Sequence, residues 1–160
     1  MMEIIATWPF MVLILVVLGL LSMLALPCVG SAIGVSHVGN ALIGCMKKNP
    51  DMYGKGMIIT ALPATQGLYG FAAFFLFLLK LKDIAMLNYM QAILIFAAGV
   101  SLGLAGYFST QYQAKIACNG LVEMSNGRDI FAQTIILTVY SELYAILTFA
   151  LCFLVWVMAL

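Results

Sequence analysis

Apolar residues run along this chain in four long blocks, roughly residues 10–34, 56–79, 84–110 and 130–160, parted by short polar stretches. A block of about 20 apolar residues spans a bilayer as a helix. None shows the polar/apolar alternation over about 10 residues that a transmembrane strand requires. The pattern predicts an all-α integral membrane protein with four transmembrane helices. They form two tandem hairpins, residues 1–80 and 81–160, the first and third helices running on past the membrane. Composition agrees: 65% of the 160 residues are hydrophobic and 8% are charged, more apolar surface than a soluble core of this size could hide.

The few charges orient the chain. Lys47, Lys48, Lys55, Lys115 and Arg128 lie around the links between helices one and two and between three and four, whereas Lys80 and Lys82 lie on the link between two and three. The positive-inside rule then puts the first two links in the cytoplasm and both termini outside. Glu3 stands where a signal peptide would carry basic residues, and no small-x-small cleavage site follows a short apolar core, so no cleaved signal is expected. Cys28, Cys45, Cys118 and Cys152 lack metal or disulfide spacing and read as packing residues. A net charge of +1 without a basic stripe argues against nucleic acid.

One charge breaks the pattern. Glu142 is the only charged residue in the apolar run 134–160. An ionised side chain at the bilayer centre costs about 2.5–3.5 kcal/mol on insertion scales, which by default marks an ion or proton site. Sliding the chain on itself by 76 residues pairs Gly30 with Gly106, Ala41 with Ala117, Thr65 with Ser141 and Gln66 with Glu142. Folding the second hairpin about Asn126–Arg128 puts Gln113 level with Glu142. Folding the first about Asp51–Met52 puts His37 level with Gln66. Polar residues of four helices are thus expected in one layer, since lipid offers them no partners. His37 reads as a hydrogen-bonded interhelical residue and Tyr140 and Tyr144 as packing or lipid-facing aromatics.

Leu62, Thr65, Gln66 and Tyr69 recur at helical spacing and share a face, as do Thr138, Ser141 and Glu142. With Gln113 they supply a carboxylate, amide carbonyls and hydroxyls. Such oxygen donors suit a hard cation, and a single carboxylate among neutral oxygens suits Na⁺ better than Ca²⁺ or Mg²⁺. A proton alone needs less: one acceptor and an apolar wall, leaving the buried amides and hydroxyl surplus. Pro63 removes a donor for the Ile59 carbonyl, which gives either a packing kink or a local opening beside the ligand layer. Small residues mark the first helix (Gly30, Ser31, Gly34) and the third (Gly99, Gly103, Gly106), as expected of the inner helices of a tightly curved oligomer.

The run Leu62-Pro63-Ala64-Thr65-Gln66-Gly67-Leu68-Tyr69-Gly70, the second hairpin with Gln113 and the lone Glu142 resemble the proteolipid (c or K) subunit of V-type ATPases, more narrowly the bacterial sodium-translocating type. The resemblance covers nearly the whole chain. It implies a closed ring of identical subunits in a bacterial plasma membrane, with the first and third helices inside. It further implies one Na⁺ per subunit, held by Glu142, Gln66, Thr65, Gln113 and the Leu62 backbone carbonyl, with Tyr69 donating a hydrogen bond that orients the carboxylate. The implied partners are a stator membrane subunit bearing an arginine and a central-stalk subunit on the cytoplasmic face. The chain has no nucleotide motif, so the role implied is a non-catalytic, ion-carrying part of a rotary ATPase. His37 has no place in that family's site, and residues 10–26 are bulkier than its glycine-rich inner helix. The alternatives are the same rotor coupled to H⁺ and a non-rotary tetraspan scaffold or pore. A secondary transporter fits least, because parallel repeats offer no alternating-access pair.

Overall fold

The computed structural model describes residues 2–81 and 87–159, with side chains from Phe10 to Met158. Lys82, Asp83, the expected start of the third helix at Ile84, and Leu160 lie outside the described residues. Helix α1 (Met2–Met46) leads through a turn and a 3-10 segment (Pro50–Met52) into α2 (Tyr53–Ala61). A second 3-10 segment (Leu62–Ala64) joins α2 to α3 (Thr65–Lys80), and the chain continues with α4 (Tyr89–Ser125) and α5 (Phe131–Ala159). Four helical stretches are long and apolar enough to cross a membrane: Phe10–Met46, Pro50–Lys80, Tyr89–Ser125 and Phe131–Met158. The protein is an integral membrane protein of two helical hairpins.

The polar turns carry the signals expected of helix ends. Asn49 accepts from the Asp51 backbone N–H at 3.2 Å, opening the first 3-10 segment. Asn88 and Gln91 form a reciprocal capping box at the start of α4. Between α4 and α5 the chain turns at Gly127, whose φ of +90° is a conformation glycine adopts without a Cβ clash.

The two long helices α1 and α4 run parallel and pack backbone to backbone. A Cβ on Gly19 would stand 2.7 Å from Phe96 Cα, one on Gly30 2.9 Å from Tyr107 Cα, and one on Gly99 would overlap the Gly19 carbonyl. Contacts that advance together along both helices are what a parallel hairpin repeat produces. Against this inner pair lie α2–α3, packed on α1, and α5, packed on α4. Long side chains rather than glycines join α3 to α5: Trp156 Nε1 donates to the Leu76 carbonyl (2.9 Å), and Lys80 Nζ donates to the Trp156 carbonyl (3.1 Å).

Two apolar clusters fill the bundle. One, towards the termini, includes Val16, Met23, Phe77, Ile95, Leu102 and Cys152; the other, towards the polar turns, includes Val38, Leu42, Ile59, Ala117 and Leu121. A band of buried polar residues separates them. Placing Ala at Gly99 forces the α1 and α4 backbones apart, and overpacking of this kind costs about 1–3 kcal/mol. Gly99→Ala is expected to lower the thermal midpoint of the detergent-solubilised protein. Gly44→Ala, with nothing in the protomer within 4 Å of the new methyl, is expected to leave it unchanged.

Candidate functional site

Glu142 sits in the middle of α5 and is only 6% exposed. Both carboxylate oxygens have donors. The Tyr69 hydroxyl, from α3, donates to Oε1 at 2.5 Å, and Gln113 Nε2, from α4, donates to Oε2 at 3.4 Å. Hydrogen bonds to an ionised acceptor are stronger than neutral ones, so these two contacts offset part of the burial. The Tyr69 ring is held in turn against Phe149, with centroids 5.8 Å apart.

Behind this pair the network continues into α3. Gln66 and Gln113 are both fully buried. Gln66 Nε2 donates to Gln113 Oε1 at 2.8 Å and to Ser109 Oγ at 3.3 Å. The Thr65 hydroxyl donates to the Leu62 carbonyl at 2.9 Å and lies 3.3 Å from Gln66 Oε1. Leu62, Thr65, Gln66, Gln113, Glu142 and Tyr69 thus form one polar network across four helical segments, the second 3-10 turn, α3, α4 and α5.

Pro63 shapes the backbone around the Leu62 carbonyl. Its ring leaves the Ile59 carbonyl without the usual i+4 donor, and the backbone tightens to 3-10 so that Leu62 N–H reaches Ile59 instead. The Leu62 carbonyl then receives both the backbone N–H and the hydroxyl of Thr65. The distortion is a local 3-10 turn with its polar groups re-paired, and Pro63 is buried beside Gly34.

His37 is not at this level. It is exposed on α1 and takes no part in the network. Ser31 lies against Gly67, and Gly34 against Pro63. The part of α1 level with Gln66 therefore falls between Ser31 and Gly34, about a turn or more from His37. The expected register fails because the reversal occurs just after Met46, whereas Asp51–Met52 already belongs to the returning helix. Ser31 is the polar contribution of α1: its Oγ accepts the Gly67 backbone N–H at 2.8 Å.

Of the other polar residues on α5, Thr138 is buried but donates to the Thr134 carbonyl of its own helix (2.6 Å) and stands apart from the network. Tyr140 and Tyr144 are exposed, as expected of packing or lipid-facing aromatics, and all four cysteines are free thiols. Ser109 is missed by sequence reasoning, because a serine among glycines and alanines on a tightly packed helix looks like one more small residue. Its four-residue spacing from Gln113 is the signal that could have found it.

Two parallel hairpins with a glycine-packed inner pair and one buried, hydrogen-bonded carboxylate define a membrane proteolipid of the ion-carrying kind. The chain matches the family model of the ATP synthase C subunit twice, over residues 18–77 and again over 96–155, and it belongs to that family. Over 126 residues it is 32% identical to the V-type sodium ATPase subunit K of Enterococcus hirae, an alignment covering 79% of this chain and 80% of the relative. Over 117 residues it is 34% identical to the A-type ATP synthase subunit K of Methanocaldococcus jannaschii, covering 73% of this chain and half of that longer relative. The protein is a rotor proteolipid of a V/A-type ATPase, a non-catalytic, ion-translocating component.

Removing the Tyr69 hydroxyl takes one donor from the carboxylate and leaves the aromatic ring in place. A hydrogen bond to a charged group contributes about 1.5–3 kcal/mol. Tyr69→Phe is expected to leave the fold intact and to speed modification of Glu142 by dicyclohexylcarbodiimide, which takes up the proton of a protonated carboxyl and is then attacked by its oxygen. Mass spectrometry of the labelled protein measures the rate.

Proposed function

We propose that this protein carries Na⁺ across the membrane, with rotation coupled to ATP hydrolysis or synthesis in the soluble sector. The observation that supports this reading is the collection of neutral oxygens joined to a single carboxylate. The Leu62 carbonyl, the Thr65 hydroxyl and the Gln66 and Gln113 amide oxygens belong to the same hydrogen-bonded chain as Glu142. Na⁺ is their cargo. Each amide oxygen has two lone pairs, so Gln113 Oε1 can accept from Gln66 and still face a cation. Burying two amides and a hydroxyl at this depth is costly and superfluous for a proton, whereas a monovalent hard cation uses every one of them.

With Na⁺ in place the net charge of the cage is zero, so the site can face lipid at low cost. Identical protomers form the ring, α1 and α4 inward. The glycine-tight α1–α4 contact, with long side chains (Tyr69, Lys80 and Trp156) joining α3 to α5, suits that arrangement. A stator subunit with an arginine opposes each passing Glu142 and releases the ion. The polar turns, with Lys47, Lys48, Lys55 and Arg128, lie on the cytoplasmic face of a bacterial plasma membrane and meet the central stalk, and both termini lie outside. The halves 1–80 and 81–160 act as one unit, because both supply ligands. The name of the Enterococcus hirae relative, a V-type sodium ATPase subunit, supports the choice of ion.

Binding of ²²Na⁺ to the purified oligomer tests this. Glu142→Gln and Gln66→Leu are each expected to abolish or greatly weaken binding; retention in Gln66→Leu makes that residue a packing group. Na⁺ at neutral or higher pH is expected to slow carbodiimide labelling of Glu142 in the wild type. Labelling indifferent to Na⁺ means a proton-coupled rotor.

A further inference from the structure

We infer that Ser109 is a positioning residue that, together with Gln113, holds the Gln66 amide with its oxygen towards the ion cage, and so tunes cation affinity without touching the cation. This rests on the reading of Leu62, Thr65, Gln66, Gln113 and Glu142 as the ion site. A glutamine amide is nearly symmetric in shape, and burial alone does not select its orientation. What selects it is the chemistry of its neighbours.

At Gln66 both amide N–H groups are taken by acceptors, Gln113 Oε1 (2.8 Å) and Ser109 Oγ (3.3 Å). The remaining Oε1 is thereby turned towards the Thr65 hydroxyl (3.3 Å) beside the Leu62 carbonyl. Ser109 Oγ accepts because its own proton is committed elsewhere: it donates to the Ser141 carbonyl at 2.7 Å. The Ser141 hydroxyl returns the bond, donating to the Ser109 carbonyl at 3.0 Å. This reciprocal pair ties α4 to α5 at the peptide immediately before Glu142, one helical turn from Gln113.

Without the Ser109 hydroxyl, one N–H of a fully buried amide has no acceptor. The amide is then held by its bond to Gln113 Oε1 alone and is freer to turn about its last bond, which takes its C=O out of line with the cage. Gln113 is also held less firmly, and its bond to Glu142, already 3.4 Å long, has no slack to lose. Ser109 borders a cavity of about 360 Å³ with Ala105, Phe108, Tyr112, Ser141 and Tyr144. Within the protomer this open groove leaves room for a threonine methyl, and Ser109→Thr keeps the hydroxyl.

The test uses carbodiimide labelling of Glu142 in intact rings in native membranes, comparing wild type, Ser109→Ala and Ser109→Thr. It reads the labelling rate without Na⁺ and the Na⁺ concentration that halves it. Loss of one net hydrogen bond predicts about a 3- to 10-fold rise in that concentration for Ser109→Ala, a labelling rate without Na⁺ at least about twofold faster, and wild-type values for Ser109→Thr. Both readouts unchanged in Ser109→Ala overturn the inference. So does failure of Ser109→Thr to restore them, which makes Ser109 a matter of packing alone. If Na⁺ protects none of the three, the sodium reading falls, and the rate without Na⁺ decides the role of Ser109 by itself. Recovery of ring-sized particles in each variant separates these effects from misassembly.

Discussion

Everything in this bundle answers to one carboxylate held at the depth of the hydrocarbon. Water is absent there, so the donors that make Glu142 tolerable must come from protein. They come from two directions: a phenol on α3 and an amide on α4. Both are neutral, and neither cancels the charge. The structure thus stabilises a carboxylate while leaving its formal charge available, which is the condition a carrier of a monovalent cation must meet. A buried lysine or arginine partner would have satisfied Glu142 permanently and removed its use.

The glycine interface serves this site at a distance. Gln113 and Gln66 belong to different hairpins and meet at 2.8 Å only because the hairpins approach closely. That approach is set along α1 and α4, where Gly19, Gly30 and Gly99 allow backbones to touch. Lipid tails are as apolar as leucine, so close packing and interhelical hydrogen bonds hold such a bundle together. The ion pairs at the turns, Lys55–Asp129 at 3.4 Å and Arg128–Glu123 at 2.7 Å, are largely exposed and add little. They mark the polar end of the molecule and do not secure it.

Much of this was readable from residue order. The hydrophobic blocks gave four spans, and the helical spacing of Leu62, Thr65, Gln66 and Tyr69 put them on one face. Depth in the second hairpin was readable too, because its turn has one obvious centre near Gly127. The first hairpin misled because Pro50 and Asp51 look like the middle of a turn yet begin the returning helix as a 3-10 segment. A shift of a few residues in the assumed centre nearly doubles in the partner's register, and this carried His37 into a layer where Ser31 belongs. The 3-10 repair at Pro63 and the bonds of Ser109 were not legible. Both depend on where carbonyl oxygens point, and side-chain periodicity is silent on that.

The two hairpins are repeats in sequence and yet unequal in chemistry, and the inequality is what makes a site. The first hairpin contributes Leu62, Thr65, Gln66 and Tyr69, oxygen-rich and neutral throughout. The second contributes Gln113 and the only charge. Had both hairpins kept a carboxylate at the position of Glu142, each site would need its own set of neutral oxygens, and Gln66 would not be there to supply one. With a glutamine in the first hairpin and a glutamate in the second, the neutral half completes the charged half. The hydrogen-bonded unit around Glu142 is therefore the pair, and the first hairpin is not idle although it carries Gln66 where the second carries Glu142. It supplies the neutral groups that hold Gln113 against the Glu142 carboxylate.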